Sequence, residues 1–423
     1  MIPRPQIPDG PYLVVGLARS GQAAAKLLAS RGYEVVGVDA GHPAGADTLG
    51  DFGVTAHLDV EGLDLIDAAR TVVKSPGVPD EAPVIARAHQ TGKAVIGELE
   101  LGWRFLPNRF IAVTGTNDKT TTTELLGEIY RAAGLPVAVA GNIGAPVCAL
   151  VGSVDPDATI VCEASSFQLE DSREFRPECA VLLNLAPDHI DRHGGFEAYR
   201  DAKLALFARQ GADEVAVTGP SIDLKLPGDA RRLTADPARL DPARIAMRGA
   251  HNLENAAAAA LAARAMGVPQ DAIDAAIASF KGVEHRMEDV ATIDGISYVN
   301  DSKATNVAAA RVALESFEGG VHAILGGSLK GERFEQLRSP VAGACRAVYL
   351  IGQSAPQLAE DLDGAGPPIR QCETLERAVA AARAAAVSGD TVLLAPACAS
   401  FDQFSDYERR GRCFKELVRA GQA

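Results

Sequence analysis

The stretch Phe110-Ile-Ala-Val-Thr-Gly115-Thr-Asn-Asp118-Lys119-Thr120-Thr121 restricts the fold more than any other part of the chain. Its opening run is apolar enough for a buried strand. The segment after Lys119 reads as helix to about Ala133, where Gly134 and Pro136 supply a stop. Strand, glycine turn, Lys-Thr and helix N-terminus are the parts of a P-loop. There, backbone N–H groups wrap a triphosphate, the lysine reaches the β- and γ-phosphates, and a threonine hydroxyl ligates Mg²⁺. One residue departs from the pattern. The position before the lysine is normally glycine, which lets the backbone approach phosphate with no Cβ in the way. Here it is Asp118, whose carboxylate adds bulk and a negative charge facing an anion. The reading is of a triphosphate site at Gly115, Thr116, Asn117, Asp118, Lys119, Thr120 and Thr121 that Asp118 impairs.

Apolar strands alternate with Ala-rich helical stretches from end to end, the pattern of α/β domains with mostly parallel sheets. At 423 residues the chain is too long for one core. It divides into blocks 1–96, 97–284 and 285–423. The first opens with strand Tyr12–Val15, the turn Gly16-Leu-Ala-Arg-Ser-Gly21 and helix 21–31, and its second strand ends in Asp39. That is Rossmann-like, although the glycines run G-x-x-x-x-G and not G-x-G-x-x-G. The second block carries the P-loop, with strands at 137–140, 159–163, 179–184 and 214–218 and helices at 197–209 and 251–266. The third has strands at 296–300, 321–325, 347–351 and 391–395, with loops gathered at strand ends where ligands bind in open α/β sheets.

Composition excludes several classes. A net charge of −14 offers no basic field for nucleic acid or an acidic membrane, so an anionic substrate needs local cations, metal ions and helix N-termini. The seven cysteines are scattered and odd in number, which reads as buried reduced thiols. The N-terminus lacks a signal-peptide pattern, and no apolar run reaches the ~18 residues of a membrane span.

Other chemistry-bearing residues sit at strand ends. Glu163 closes the strand Thr159–Glu163 and stands where a metal-holding acid belongs beside a P-loop strand. Asp188-His189-Ile-Asp-Arg192-His193 suggests a metal or phosphate site, with His189 favoured as functional and His193 left open. Lys203 is by pattern only a solvated helix lysine. Asp301, Lys303, Thr305, Lys330 and Ser400 are individually weak, but together place cations and hydroxyls at strand ends of the third block, suited to a small carboxylate.

Gly115-Thr-Asn-x-Lys-Thr-Thr, Glu163-x-Ser-Ser-Phe-Gln-Leu-Glu, Asp188-His-x-Asp-Arg-His, His251-Asn252, His285-Arg286, Asn300-Asp-Ser-Lys-Ala-Thr-Asn306 and Ala397-Cys-Ala-Ser-Phe-Asp-Gln-Phe404 follow in that order. In this combination the chain resembles the Mur ligases of peptidoglycan synthesis over nearly its whole length. The Ser-Ser-Phe-Gln-Leu-Glu, Ser-Lys-Ala-Thr-Asn and Ala-Cys-Ala-Ser-x-Asp-Gln-Phe segments favour the member that adds D-glutamate.

The resemblance implies an N-terminal Rossmann-like domain for UDP, a central ATPase domain, and a C-terminal Rossmann-like domain that closes over the amino-acid site. It implies a cytoplasmic monomer that uses ATP and two Mg²⁺ ions to join D-glutamate to UDP-N-acetylmuramoyl-L-alanine through an acyl phosphate and a tetrahedral intermediate. Lys119, Thr120 and Glu163 match the phosphates and the first Mg²⁺. His189 and Lys203 match the second, with Lys203 N-carboxylated. Asn252 and Asn255 match adenine-side contacts, and Arg286 and Asp301 further nucleotide contacts. Lys303 matches a position near the reacting carboxylates. Thr305, Lys330, Ser400 and Tyr407 match the D-glutamate pocket, and Ser20, Asp39, Ser75, Gly77 and Asn142 the uridine-nucleotide side. A sister ligase adding another amino acid or extending a folate tail, and a UDP-sugar-binding protein crippled by Asp118, are the competing readings. A nicotinamide dehydrogenase leaves the P-loop, Glu163 and Asp188–His193 without purpose.

Overall fold

The computed structural model describes residues 2–247, 249–329, 331 and 333–420. Among these, the strands form three sheets. The first holds β1 (Tyr12–Val15), β2 (Val35–Val38), β3 (Thr55–His57), β4 (Thr71–Lys74) and β5 (Ala94–Gly97) in the order 3-2-1-4-5. The second holds β6 (Phe110–Thr114), β7 (Val137–Gly141), β8 (Thr159–Glu163), β9 (Cys179–Leu182), β10 (Val215–Thr218) and β11 (Arg231–Thr234) in the order 11-10-9-6-8-7. Both are parallel throughout. Their central strands read as unbroken apolar runs because helices cover both faces; β1, β4, β6, β8 and β9 are buried at every residue.

The third sheet holds β12 (Glu288–Ile293), β13 (Ile296–Asn300), β14 (Val321–Gly326), β15 (Cys345–Ile351), β16 (Ile369–Glu373) and β17 (Thr391–Leu394) in the order 12-13-17-14-15-16. It is parallel except for the edge pair β12 and β13. Asp294-Gly295 joins that hairpin with φ of +52° and +78°, the two left-handed residues that match a tight turn to strand twist.

Two compact units result. One runs to Leu240 and takes in Glu254–Ile277; the other comprises Asp241–Leu253 and the chain from Ala278. Within the first unit, buried polar ties join the first and second sheets. Lys74, 1% exposed at the end of β4, lies 3.0 Å from Asp171 beyond β8, and Gly97 N donates to Asp171 O at 3.0 Å. The Arg4 guanidinium stacks 4.7 Å over the Trp103 ring and donates to Leu106 O. Glu98, wholly buried at the start of helix Glu98–Phe105, accepts from Cys148 N at 2.7 Å. All seven cysteines are free thiols, and Cys148, Cys162, Cys179, Cys372 and Cys398 are buried.

Candidate active site

β6 delivers the chain into the turn Gly115–Asp118, and helix Lys119–Ala132 starts at once. Gly115 has φ +155°, and a Cβ there would stand 3.2 Å from Leu183 Cβ and 3.4 Å from Asn184 N. The turn is pinned from β9's side: Thr116 N donates to Asn184 O, and Asn117 N to Asn184 Oδ1 at 2.8 Å. Thr116 Oγ1 donates to Ala186 O and accepts from Ala186 N and from the Tyr199 hydroxyl, all near 3.0 Å. Asp118 lies at φ +68°, ψ +3°, and its side chain does not cap the helix. This is the left-handed region that glycine enters freely and aspartate only tolerates. Glu254, on helix Ala250–Ala265, has its carboxyl raised by burial and then by the charge of Asp118.

Two lysines share one carbonyl. Lys119 Nζ donates to Gly115 O at 2.9 Å and Thr116 O at 2.8 Å, and Lys203 Nζ donates to Gly115 O at 2.8 Å. The sequence pattern made Lys203 a solvated helix lysine. In the fold it is 1% exposed, with its amine 4.5 Å from the Tyr199 ring centroid. Burial pushes its ammonium well below the ordinary lysine range. Lys119 adds to that shift, against Asp188 and Glu163.

Glu163, 2% exposed, accepts from Thr120 Oγ1 and Asn142 Nδ2, both at 2.7 Å. A hydroxyl and a buried carboxylate at this separation are a donor pair that one hard cation can span. Thr121 lies on the helix's buried face.

The Asp188–His193 stretch splits in role. His189 (φ +52°) starts the short helix Ile190–His193, with its side chain 41% exposed and 3.7 Å from Asp188 Oδ2. His193 is structural in its contacts: Nδ1 lies 2.8 Å from Glu170, Nε2 3.0 Å from Ser166 Oγ, and its ring stacks on Phe167. Arg192 reaches the turn after β4, donating to Val78 O at 2.7 Å and to Pro76 O and Gly77 O at 3.3 Å.

That turn borders an open cleft of about 430 Å³. Ser20, Asp39, Ser75, Gly77 and Asn142 all line it, together with Gly16, Arg19 and Gln168. Asp39 holds the first turn by accepting from Leu17 N at 2.6 Å and Gly41 N at 2.8 Å. Ser75 Oγ donates to Gly16 O at 2.7 Å. A Cβ on Gly21 would come within 1.8 Å of Gly16 O, so that position takes only glycine without rebuilding the turn. Arg19 and Gln168 are not singled out as cleft residues by the sequence: Arg19 lies inside the first glycine turn and Gln168 inside the Ser-Ser-Phe-Gln-Leu-Glu segment, and neither pattern shows that the side chain faces a cleft.

In the second unit, Asp301 follows β13 and Ser400 follows β17. Asp301 Oδ1 accepts from Met287 N at 3.2 Å and lies 3.6 Å from Arg286 Nη1. Lys303 Nζ lies 5.6 Å from the Tyr407 ring centroid, and Lys303 O accepts from Thr305 N at 2.8 Å. Ser302 Oγ donates to Tyr407 O at 2.8 Å. Ser400 is buried at 2%. Thus the fold pairs Arg286 with Asp301 and sets Lys303 over the Tyr407 ring. Lys330 lies outside the described residues. Asn252 and Asn255 are buried on helix Ala250–Ala265. Glu284, His285 and Glu288 cluster closely, but Lys415 Nζ stands 2.6 Å from both carboxylates.

A parallel sheet whose central strand enters a lysine-bearing glycine turn, with a buried acid at the next strand end, defines a P-loop nucleoside-triphosphate protein. Sequence profiles refine that class: the MurD-like N-terminal domain matches residues 11–97, the Mur ligase middle domain 113–225, and the Mur ligase glutamate ligase domain 285–398. A protein of Acidobacterium capsulatum named UDP-N-acetylmuramoylalanine–D-glutamate ligase is 44% identical over 96% of each chain. One of Solibacter usitatus with the same name is 43% identical over 96% of this chain and 97% of its own. The chain belongs to the Mur ligase family. Its fold is shared with the UDP-N-acetylmuramate-alanine ligase of Thermotoga maritima (TM-score 0.61, 19% identity, 98% of this chain and 100% of that one). It is shared also with the MurF ligase of the same organism, solved with ADP (TM-score 0.61, 17% identity, 86% and 93%).

Proposed function

We propose that this chain is an ATP-dependent ligase that joins D-glutamate to UDP-N-acetylmuramoyl-L-alanine in peptidoglycan precursor synthesis. Its near relatives carry that activity in their names. The observation that carries the reading is Asn142: it lines the open cleft and donates to Glu163, which also accepts from Thr120 of the P-loop. The cleft assigned to the nucleotide sugar and the turn assigned to phosphate thus share one carboxylate.

A free carboxylate is a poor electrophile because its leaving group would be oxide. Transfer of the γ-phosphoryl group supplies a better one. The D-glutamate amine then attacks the acyl phosphate, the tetrahedral intermediate expels phosphate, and the nitrogen loses a proton to leave the amide. Lys119 exchanges its bonds to Gly115 O and Thr116 O for phosphate oxygens, and the N–H groups at the helix start face the same anion. Thr120 and Glu163 would hold a first Mg²⁺, and His189 with N-carboxylated Lys203 a second; bound there, the ions would neutralise phosphate charge. The buried amine of Lys203 suits N-carboxylation: its lone pair attacks CO₂, one C=O pair moves to oxygen and a proton leaves, giving an anionic ligand beside the Lys119 cation.

Ser20, Asp39, Ser75, Gly77 and Asn142 hold the uridine-nucleotide side. Asn252, Asn255, Arg286 and Asp301 serve the nucleotide, Lys303 the reacting carboxylates, and Thr305, Ser400 and Tyr407 the amino acid. Domains divide at 1–96, 97–284 and 285–423. The protein acts as a monomer in the cytoplasm, where ATP and UDP-linked precursors are found; among the described residues no helix is long and apolar enough to cross a membrane. Asp118 slows this copy. Its left-handed backbone stands where glycine is at ease, and its charge opposes the phosphates.

The test is phosphate release with ATP, Mg²⁺, UDP-N-acetylmuramoyl-L-alanine and a panel of amino acids, on this chain and on Asp118→Gly. Turnover with D-glutamate upholds the assignment. Turnover with L-alanine or diaminopimelate but not D-glutamate replaces it with a sister ligase, and silence from both folded proteins leaves a binding role.

A further inference from the structure

Helix Tyr407–Ala420 carries an arginine that the motif reading passed over. Arg410 is 1% exposed. Its Nε donates to Ser302 Oγ at 3.0 Å, Nη2 to Ser302 O at 2.9 Å and Cys398 O at 3.1 Å, and Nη1 to Cys398 O at 3.1 Å and Ala399 O at 3.2 Å. Every acceptor is neutral, and among the described residues no carboxylate lies within ion-pair distance of it. Burying a cation without a paired anion is strongly unfavourable. Burial draws the guanidinium down to about 10, which leaves it charged at neutral pH. Packing alone is better served by an apolar side chain of similar size, so the retained charge calls for another account.

The acceptors supply one. Ser302 sits between Asp301 and Lys303, three residues before Thr305. Cys398 and Ala399 immediately precede Ser400. Ser302 Oγ in turn donates to Tyr407 O at 2.8 Å. A Cβ built on Gly327, in the turn after β14, would stand 3.1 Å from Arg410 Nη1, so this turn also closes against the guanidinium. Each strand-end turn bearing a residue assigned to the amino acid therefore rests on one buried cation.

We infer that Arg410 is a positioning and specificity-determining residue for the amino-acid substrate, fixing the turns that carry Lys303, Thr305 and Ser400 and supplying beside them a buried positive charge that no described carboxylate pairs directly, Asp402 acting on it only from beyond ion-pair distance, and that favours a dicarboxylate. A charge in a low-dielectric interior acts over a longer range than one in water. The inference rests on the assignment of Thr305, Ser400 and Tyr407 to the amino-acid pocket.

The experiment compares wild type, Arg410→Gln and Arg410→Lys, with KM measured separately for D-glutamate, ATP and UDP-N-acetylmuramoyl-L-alanine, and folding checked by circular dichroism and thermal melting. Glutamine keeps an amide donor and loses the charge; lysine keeps the charge and loses the planar fork. Arg410→Gln is expected to raise KM for D-glutamate about tenfold or more while the other two KM values stay within about twofold, and Arg410→Lys to recover part of the loss. Should the glutamine variant not fold, a rise confined to D-glutamate in Arg410→Lys upholds the inference. Equal shifts in all three KM values, a change in kcat alone, or a lowered melting temperature with unchanged KM reduces Arg410 to a structural tie. No turnover of D-glutamate by wild type indicts the underlying assignment instead.

Discussion

The turns after β1 and β6 lie in one compact unit, and each leads a buried strand into a helix. Their polar groups are disposed in opposite ways. The turn after β1 faces an open cleft, and its shape comes from backbone closeness: Gly16 at φ +85°, Gly21 against the Gly16 carbonyl, Asp39 and Ser75 holding from the side. The turn after β6 is closed on itself, with Lys119 on its own carbonyls and Thr120 on Glu163. In the proposed ligase the first binds by being preformed. The second, on the same proposal, trades internal bonds for phosphate bonds, so its affinity depends on what each exchanged bond is worth and on the charge of Asp118.

Four measurements test that contrast. Lys119→Ala should lower phosphate release by roughly 10³-fold and leave calorimetric binding of UDP-N-acetylmuramoyl-L-alanine unchanged; loss of both would erase the distinction between the turns. Asp118→Gly should raise kcat/KM for ATP about tenfold or more. It should also add ~1 kcal/mol of stability by relieving the left-handed aspartate; equal kinetics would show that the carboxylate is tolerated. Gly21→Ala reverses the experiment. Its Cβ meets the Gly16 carbonyl, so it should cost ~2 kcal/mol of stability and weaken UDP-substrate binding with little change in ATP binding. The fourth measurement concerns Glu98, between the two sheets, whose carboxyl burial pushes up to about 7. The folded state then holds a proton that the unfolded state releases above its ordinary 4.5. The contribution of this group to stability is therefore fully present below 4.5 and is lost as pH rises through 7, by at most ~3 kcal/mol. Glu98→Gln should flatten that slope in melts between pH 5 and 8.

Much of the fold was legible because parallel strands buried on both faces announce themselves. Thr71–Lys74, Thr159–Glu163 and Ile296–Asn300 fall where their apolar runs place them. The edge hairpin was missed, although Asp294-Gly295 is a strong turn signal, because Glu288–Ile293 is half exposed and carries no clean alternation. The cleft residues were found through motif resemblance, and the fold brings all five together. Lys203 shows where pattern fails: its helix looks solvated locally, and its burial comes from Gly115 and the P-loop, far away in sequence. Arg410 was invisible for a related reason, since an arginine among arginines on a terminal helix reads as surface.

The placement of the cysteines bears on how the molecule can be handled. Cys148, Cys162 and Cys179, the three in the first unit, are at most 2% exposed. Burial raises all three thiols, Cys179 to about 12. Thiolate is the reactive form, so alkylating and oxidising reagents find almost none there. One engineered surface cysteine beside the cleft or the phosphate turn would thus take a fluorophore or spin label against a chemically silent background, with Cys345 and Cys413 of the other unit the competitors to remove.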